Sequence, residues 1–165
     1  MRRTSRRRSS ARCASRRSPS TGGEPMESSQ EGSLVMVKLA DGDDLFANLE
    51  GAARRHGIES GAVLWGIGMI RDFELGFFVG PQYERRTFRD RHELLALHGS
   101  ISLQAEPRLH LHVAAGGPDY AVVGGHLFRA KACVVNEICL AKFEAIRLTR
   151  VLNPTTGLRE LVLPP

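Results

Sequence analysis

The segment Arg108-Leu109-His110-Leu111-His112-Val113 alternates between polar and apolar residues without a break. A period of two belongs to a strand lying on a core with one face, and no helical stripe can be drawn through it. Leu109, Leu111 and Val113 then face the core. His110 and His112 share the opposite face, about 6.5–7 Å apart along the strand. Gly116-Gly117-Pro118-Asp119 is a strong turn signal, and Tyr120 to Val123 starts a returning strand. The middle of the chain is thereby committed to an antiparallel pair.

The flanking sequence extends that reading. Leu34 to Leu39 is a first strand, ended by Asp41-Gly42. Asp43 or Asp44 caps a helix whose apolar stripe is Leu45, Leu49, Ala52 and Ala53, and Gly57 stops it after Arg54, Arg55 and His56. Ala62 to Ile70 is apolar on both faces, as a central strand is. Phe73 to Val79 and Tyr83 to Phe88 flank Gly80-Pro81-Gln82 and read as a hairpin. Glu93 to Leu97 fits a short helix or the start of a strand, Ile101 to Leu103 is a strand, and Glu137 to Val151 is a long β-leaning segment. Asn153 to Gly157 turns into a terminal strand, Leu158 to Leu163. One capped helix among many short strands argues for an α+β fold, a single domain with a mainly antiparallel sheet.

Charge separates the domain from what precedes it. Residues 1–20 hold eight arginines (Arg2, Arg3, Arg6, Arg7, Arg8, Arg12, Arg16, Arg17) and no acid. The whole chain nets +5, yet without those eight it carries 15 basic against 18 acidic residues, a net charge of −3. A folded domain with a strongly basic face is therefore not implied. Residues 1–33 contain too few large apolar side chains to offset ordering and read as a disordered extension, with the domain over 34–163. Their composition suits a transit peptide better than a secretory signal. The plainer reading is a solvated tail, or upstream sequence ahead of an initiator at Met26 or Met36. Three cysteines without a C-x-x-C (Cys13, Cys133, Cys139) suggest a reducing compartment and a cytoplasmic protein. No apolar run is long enough to cross a membrane as a helix.

The histidines carry the chemistry. A four-residue loop at 116–119 pairs Ala115 with Tyr120, and in that register His126 points away from His110 and His112. One extra residue in the returning strand corrects the parity and sets His126 opposite His110; Gly124-Gly125, just before it, suits a β-bulge. Three neutral imidazoles with a fourth position open describe a site for a divalent metal, zinc first, with iron, nickel or copper acceptable. The plainer alternative is three half-exposed strand histidines. His56 closes a helix, His92 sits in a charged loop, and His98 reads as a solvated strand end that could approach the site. Glu137, the one acid in Val134 to Ile138, is a speculative base near the metal or an edge-strand carboxylate. Gly66-Ile67-Gly68 lacks the third glycine of a dinucleotide loop, and neither a phosphate loop nor a nucleophile elbow is present.

Leu109 to Val113, the Gly-Pro-Asp turn and Val122-Val123-Gly124-Gly125-His126-Leu127 resemble the signature of the plants-and-prokaryotes-conserved (PPC) domain. The likeness runs from Leu34 to Leu163 and takes in Gly66-Ile67-Gly68, Gly99 to Ser102, Glu137 and Thr156-Gly157-Leu158. It implies an α+β domain assembling as a homotrimer, with a divalent-metal site at His110, His112 and His126 near a subunit contact. In plants the domain follows an AT-hook, which needs Arg-Gly-Arg-Pro; this tail has no such tetrapeptide. Ala130 and Val134-Val135 also depart from the family pattern. The resemblance brings a fold and a site without a reaction. Three expectations follow: a metal-dependent small-ligand binder or hydrolase, a DNA-associated or regulatory module whose arginine-rich tail meets phosphates, and an oligomerisation domain whose histidines only pack.

Overall fold

The computed structural model describes residues 26–163. In chain order it contains β1 (Glu27–Glu31), β2 (Leu34–Ala40), α1 (Leu45–Arg55), β3 (Ser60–Phe78), β4 (Tyr83–Phe88), β5 (His92–Ser102), β6 (Leu109–Gly116), β7 (Val122–Lys142), β8 (Thr149–Leu152) and β9 (Arg159–Val162). Seven strands form one antiparallel sheet in the order β1-β2-β7-β6-β5-β3-β4, while β8 and β9 form a separate hairpin. β3 also pairs with β7, so β3, β5, β6 and β7 close into a circuit. Inside it lie Phe73, Leu97, Ile101, Leu111, Leu127, Ile138 and Leu140, all fully buried. Helix α1 covers β2 and β7 with the expected stripe of Leu45, Leu49, Ala52 and Ala53, and Asp44 caps it by accepting from the Ala47 amide. Each buried leucine contributes roughly 1.5–3 kcal/mol to that packing.

The elements are longer than local punctuation suggested. The expected strands at 62–70 and 73–79 are one bent strand, β3; Asp72, at φ 48°, and a register shift between Arg71 and Glu74 form the bend. Glu93 to Leu97 is strand rather than helix and continues to Ser102, with His92 its first residue instead of a loop position. The extension read as disordered to residue 33 yields its last part to the sheet. β1 pairs with β2, His56 holds Ser28 and Gln30 at 2.9 and 3.2 Å, and Glu27 meets Lys38 at 2.9 Å. Side-chain hydrogen bonds here replace the apolar burial that composition alone counts. The eight arginines lie outside the described residues.

β7 serves two neighbours on one edge, β6 through Val122–Leu127 and β2 through Val135–Ala141, and must bend between them. The bend is a bulge: Gly68 pairs with Asn136 and Met69 with Cys133, leaving Val134 and Val135 extra. Asn136, wholly buried, donates to the Met69 carbonyl at 2.9 Å and pins it. Gly68 has φ +132°, and an added Cβ would sit 2.2 Å from the Val135 carbonyl oxygen. Gly68→Ala therefore brings both strain and collision and is expected to destabilise by about 2–5 kcal/mol in urea unfolding at fixed protein concentration. Gly51→Ala is the control: it lies within α1, where an added Cβ meets only Met26 at 4.0 Å, and should raise stability by about 0.5–1 kcal/mol.

Candidate metal centre

The strand parity read at 109–113 places the first two histidines. On β6, Leu109, Leu111, Val113 and Ala115 are buried, while His110 is half-buried and His112 exposed. His126 joins them by a route other than the expected bulge. β6 and β7 pair without any register shift, from Gly116 with Val122 to Leu111 with Leu127, which sets His126 opposite His112 rather than His110. The connecting loop is 117–121, one residue longer than expected, and that residue corrects the parity. Asp119 tightens it by accepting from the Ala121 amide at 3.1 Å, with Tyr120 at φ 64°. Gly125 serves a different contact. An added Cβ there would lie 2.9 Å from the Gly76 carbonyl oxygen, so its bareness lets β3 approach His126.

The three side chains converge. Each offers a ring nitrogen, and these three atoms lie within 4.8 Å of one another. The Nε2 atoms of His110 and His112 are 3.3 Å apart. Two nitrogens bound to one tetrahedral zinc at ~2.0–2.1 Å stand about 3.3–3.4 Å apart, so this pair already has the spacing of two ligands. His126 packs against Phe128 and Tyr83 (ring centroids 4.5 and 5.0 Å), and its Nδ1 is buried without a hydrogen-bond partner. An orphaned buried nitrogen beside two converging imidazoles fits a divalent ion in donor type, number and spacing.

Two of the three rings, His110 and His126, are biased toward the neutral form that can ligate a metal. Burial pushes His126 down to about 4 from its ordinary 6.5, helped by the positive fields of His110, His112, Arg85 and Arg150. His110 is pushed down first by burial, then by Arg150 and His112. Neutral imidazole is the ligating form.

Several neighbours escaped sequence reasoning. Phe128 lies two residues beyond His126 on the same face and was within reach of the alternation rule. Tyr83 and Arg85 come from β4, where Arg85 lies 3.7 Å over the Phe128 ring and pairs with Glu74 at 3.2 Å. Arg150 comes from β8, and no motif in the sequence around it points to the site. Conversely, His98 faces His112 across β5 and β6, but its Nδ1 donates to the Leu64 carbonyl at 2.8 Å and it stands outside the cluster. Glu137, the speculative base, does not approach the histidines of its own chain. It is exposed, pairs with Lys38 and Ile67, and lies eleven residues along β7 from His126, of order 30 Å of strand.

In metal-free protein the depressed His126 makes stability pH-dependent. Unfolded, the imidazole takes its proton near 6.5; folded, it resists to about 4. Between those values the unfolded chain binds more protons, so stability falls as pH drops from about 6.5 to 4 and is flat in this term above. Chelator-treated protein should show this in thermal unfolding, and His126→Gln should flatten the slope.

Residues 26–144 match the family model described as the Plants and Prokaryotes Conserved (PCC) domain. The bifunctional protein GlmU of Synechococcus sp. (strain JA-3-3Ab) is 33% identical over 128 residues, covering 76% of this chain; the chain spans only 20% of that protein's length. The crystal structure of a candidate DNA-binding protein from Bacteroides thetaiotaomicron superposes with a TM-score of 0.76 at 29% identity, covering 84% of this chain and 98% of its own. That of a metal-containing protein from Archaeoglobus fulgidus does so with a TM-score of 0.72 at 25% identity, covering 85% and 99%. The fold, the paired histidine strands and the family match agree, and the chain belongs to the Plants and Prokaryotes Conserved domain family.

Proposed function

We propose that this chain is a metal-dependent binding domain holding one divalent ion, zinc first, through His110, His112 and His126. The observation that carries the reading is the convergence of three ring nitrogens within 4.8 Å, one of them buried and unpartnered. Three neutral ligands leave the ion's charge uncancelled and a coordination position open, the arrangement that binds a ligand atom or activates water. The metal-containing relative from Archaeoglobus fulgidus is in keeping with it. We also propose a homotrimer. On the sheet face of β2, β7 and β3, Met36, Trp65 and Ile67 are 40%, 38% and 48% exposed in the single chain, and covering such side chains is the usual purpose of a subunit contact.

Untagged full-length protein purified without chelator should contain about one ion per chain by elemental analysis. His112 is the most exposed of the three and the least involved in packing, so His112→Ala should leave fold and oligomer intact. Its metal affinity should fall by more than the 10–100-fold typical of losing an outer-shell partner. Stoichiometric metal retained in that variant would sink the assignment.

A second reading, a DNA-associated module without catalysis, is favoured by the candidate DNA-binding descriptions of two structural relatives, from Bacteroides thetaiotaomicron and Ralstonia eutropha. In this chain the DNA contact belongs to the tail arginines, Arg2 to Arg17, since the remaining residues are net acidic. Binding should then weaken steeply with salt, ignore sequence, and vanish on removal of residues 1–25; duplex binding by the truncated domain would contradict this assignment.

A further inference from the structure

Arg150 is the one charged residue among the buried described residues, at 7% exposure. The segment carrying it is fastened to the barrel. Leu148 takes a hydrogen bond from the Ser102 hydroxyl and gives one to Ser60 at 2.9 Å. Arg150 itself donates through Nε to the Pro107 carbonyl at 3.1 Å and through Nη2 to the Ser100 hydroxyl at 2.7 Å. Ser100 is the direct cross-strand partner of His110, so the guanidinium sits beside the histidine cluster. Its positive field acts on both His110 and His126.

No carboxylate of the described residues lies within ion-pair distance of Arg150. Four other arginines differ in this respect. Arg85 and Arg129 share Glu74, Arg71 has Asp41 and Asp72, and Arg108 has Glu50 and Glu106, yet all four are more exposed than Arg150. A guanidinium offers five N–H donors, and two of these are used here, both on neutral oxygens. A buried cation without a counter-charge is unfavourable, and imidazole, which is only ever neutral or cationic here, supplies none. A divalent ion on the histidines adds further positive charge to the same small volume. Water in the open position would leave all of it uncompensated, whereas an anion compensates both cations and occupies the idle donors.

We propose that the ligand of this site is a small oxyanion, a carboxylate or a phosphate group, held by the Arg150 guanidinium beside the three histidines. The inference rests on the metal reading above and names its ligand class.

The test uses full-length protein loaded with cobalt(II), a visible-absorbing stand-in for zinc, with its metal content counted. It is titrated at constant ionic strength with sodium acetate and, separately, with inorganic phosphate, chloride serving as control. The expected result is a saturable change in the cobalt absorption with acetate, with phosphate or with both, and the responding anion distinguishes carboxylate from phosphate. Arg150→Gln should weaken that binding about 10–100-fold with the metal count unchanged, and Arg150→Lys, which keeps the charge without the planar fork, should fall between. Metal-loaded wild type that responds to neither anion overturns the inference and leaves the metal reading standing. Unchanged anion affinity in a folded Arg150→Gln overturns it too. A chain that takes up no metal overturns both, and the metal count tells these cases apart. Should Arg150→Gln fail to fold, the wild-type titration decides alone.

Discussion

The pairing parity of β6 is the constraint on which the site depends. This strand is bound on both edges, by β5 and by β7, inside a closed circuit of strands. A slip of one residue against β7 would turn Leu127 outward and His126 into the core. Exposing a buried leucine costs roughly 1.5–3 kcal/mol, and burying an imidazole without partners adds a comparable penalty. The core thus enforces the convergence of the histidines. They need no attraction for one another, and the ligand geometry is a by-product of hydrophobic packing on the other face of the same strands.

That arrangement has an electrostatic consequence. Three imidazoles at van der Waals distance can coexist only if most are neutral, and burial beside Arg150 and Arg85 keeps His126 so down to about 4. The same charges that suppress protonation would repel a bare cation, so any cation held there would be balanced only with something negative beside it. Arg85 already has Glu74 to offset it. Arg150 has only the Pro107 and Ser100 oxygens, and the imbalance is concentrated on the side of His110.

Local alternation and capping made much of this legible in sequence. The helix cap, narrowed to Asp43 or Asp44, the four-residue stripe of α1, the hairpin around Gly80-Pro81-Gln82 and the outward face of His110 and His112 all follow from side-chain period and turn chemistry. What stayed hidden depends on counting across loops or on distant segments. The partner of His126 was set by the length of the 117–121 turn, where a single residue decides parity, and glycines nearby offered a false device for it. The continuity of β3 through Asp72 and of β7 through Val134 was masked because bulges read locally as breaks. β1 was missed because its order comes from His56, at the far end of α1, and from pairing with β2 rather than from its own burial. Arg150 could not be placed at all, since nothing in the residues around it marks the contact with Ser100.

Average charge is a poor guide to what such a chain binds. The +5 of the whole sequence is carried by the tail, and the residues beyond position 20 are net acidic. Yet Ser100, the cross-strand partner of His110, holds a buried guanidinium with no counter-ion among the described residues. Screening confines exposed charges to about a Debye length of 8–10 Å, whereas a buried charge acts at close range in a medium of low dielectric. A polyanion would therefore be attracted by the tail, and a small anion by the site, independently of each other. The two proposed partners thus call on different parts of the sequence, and only the buried guanidinium is a feature of the described fold.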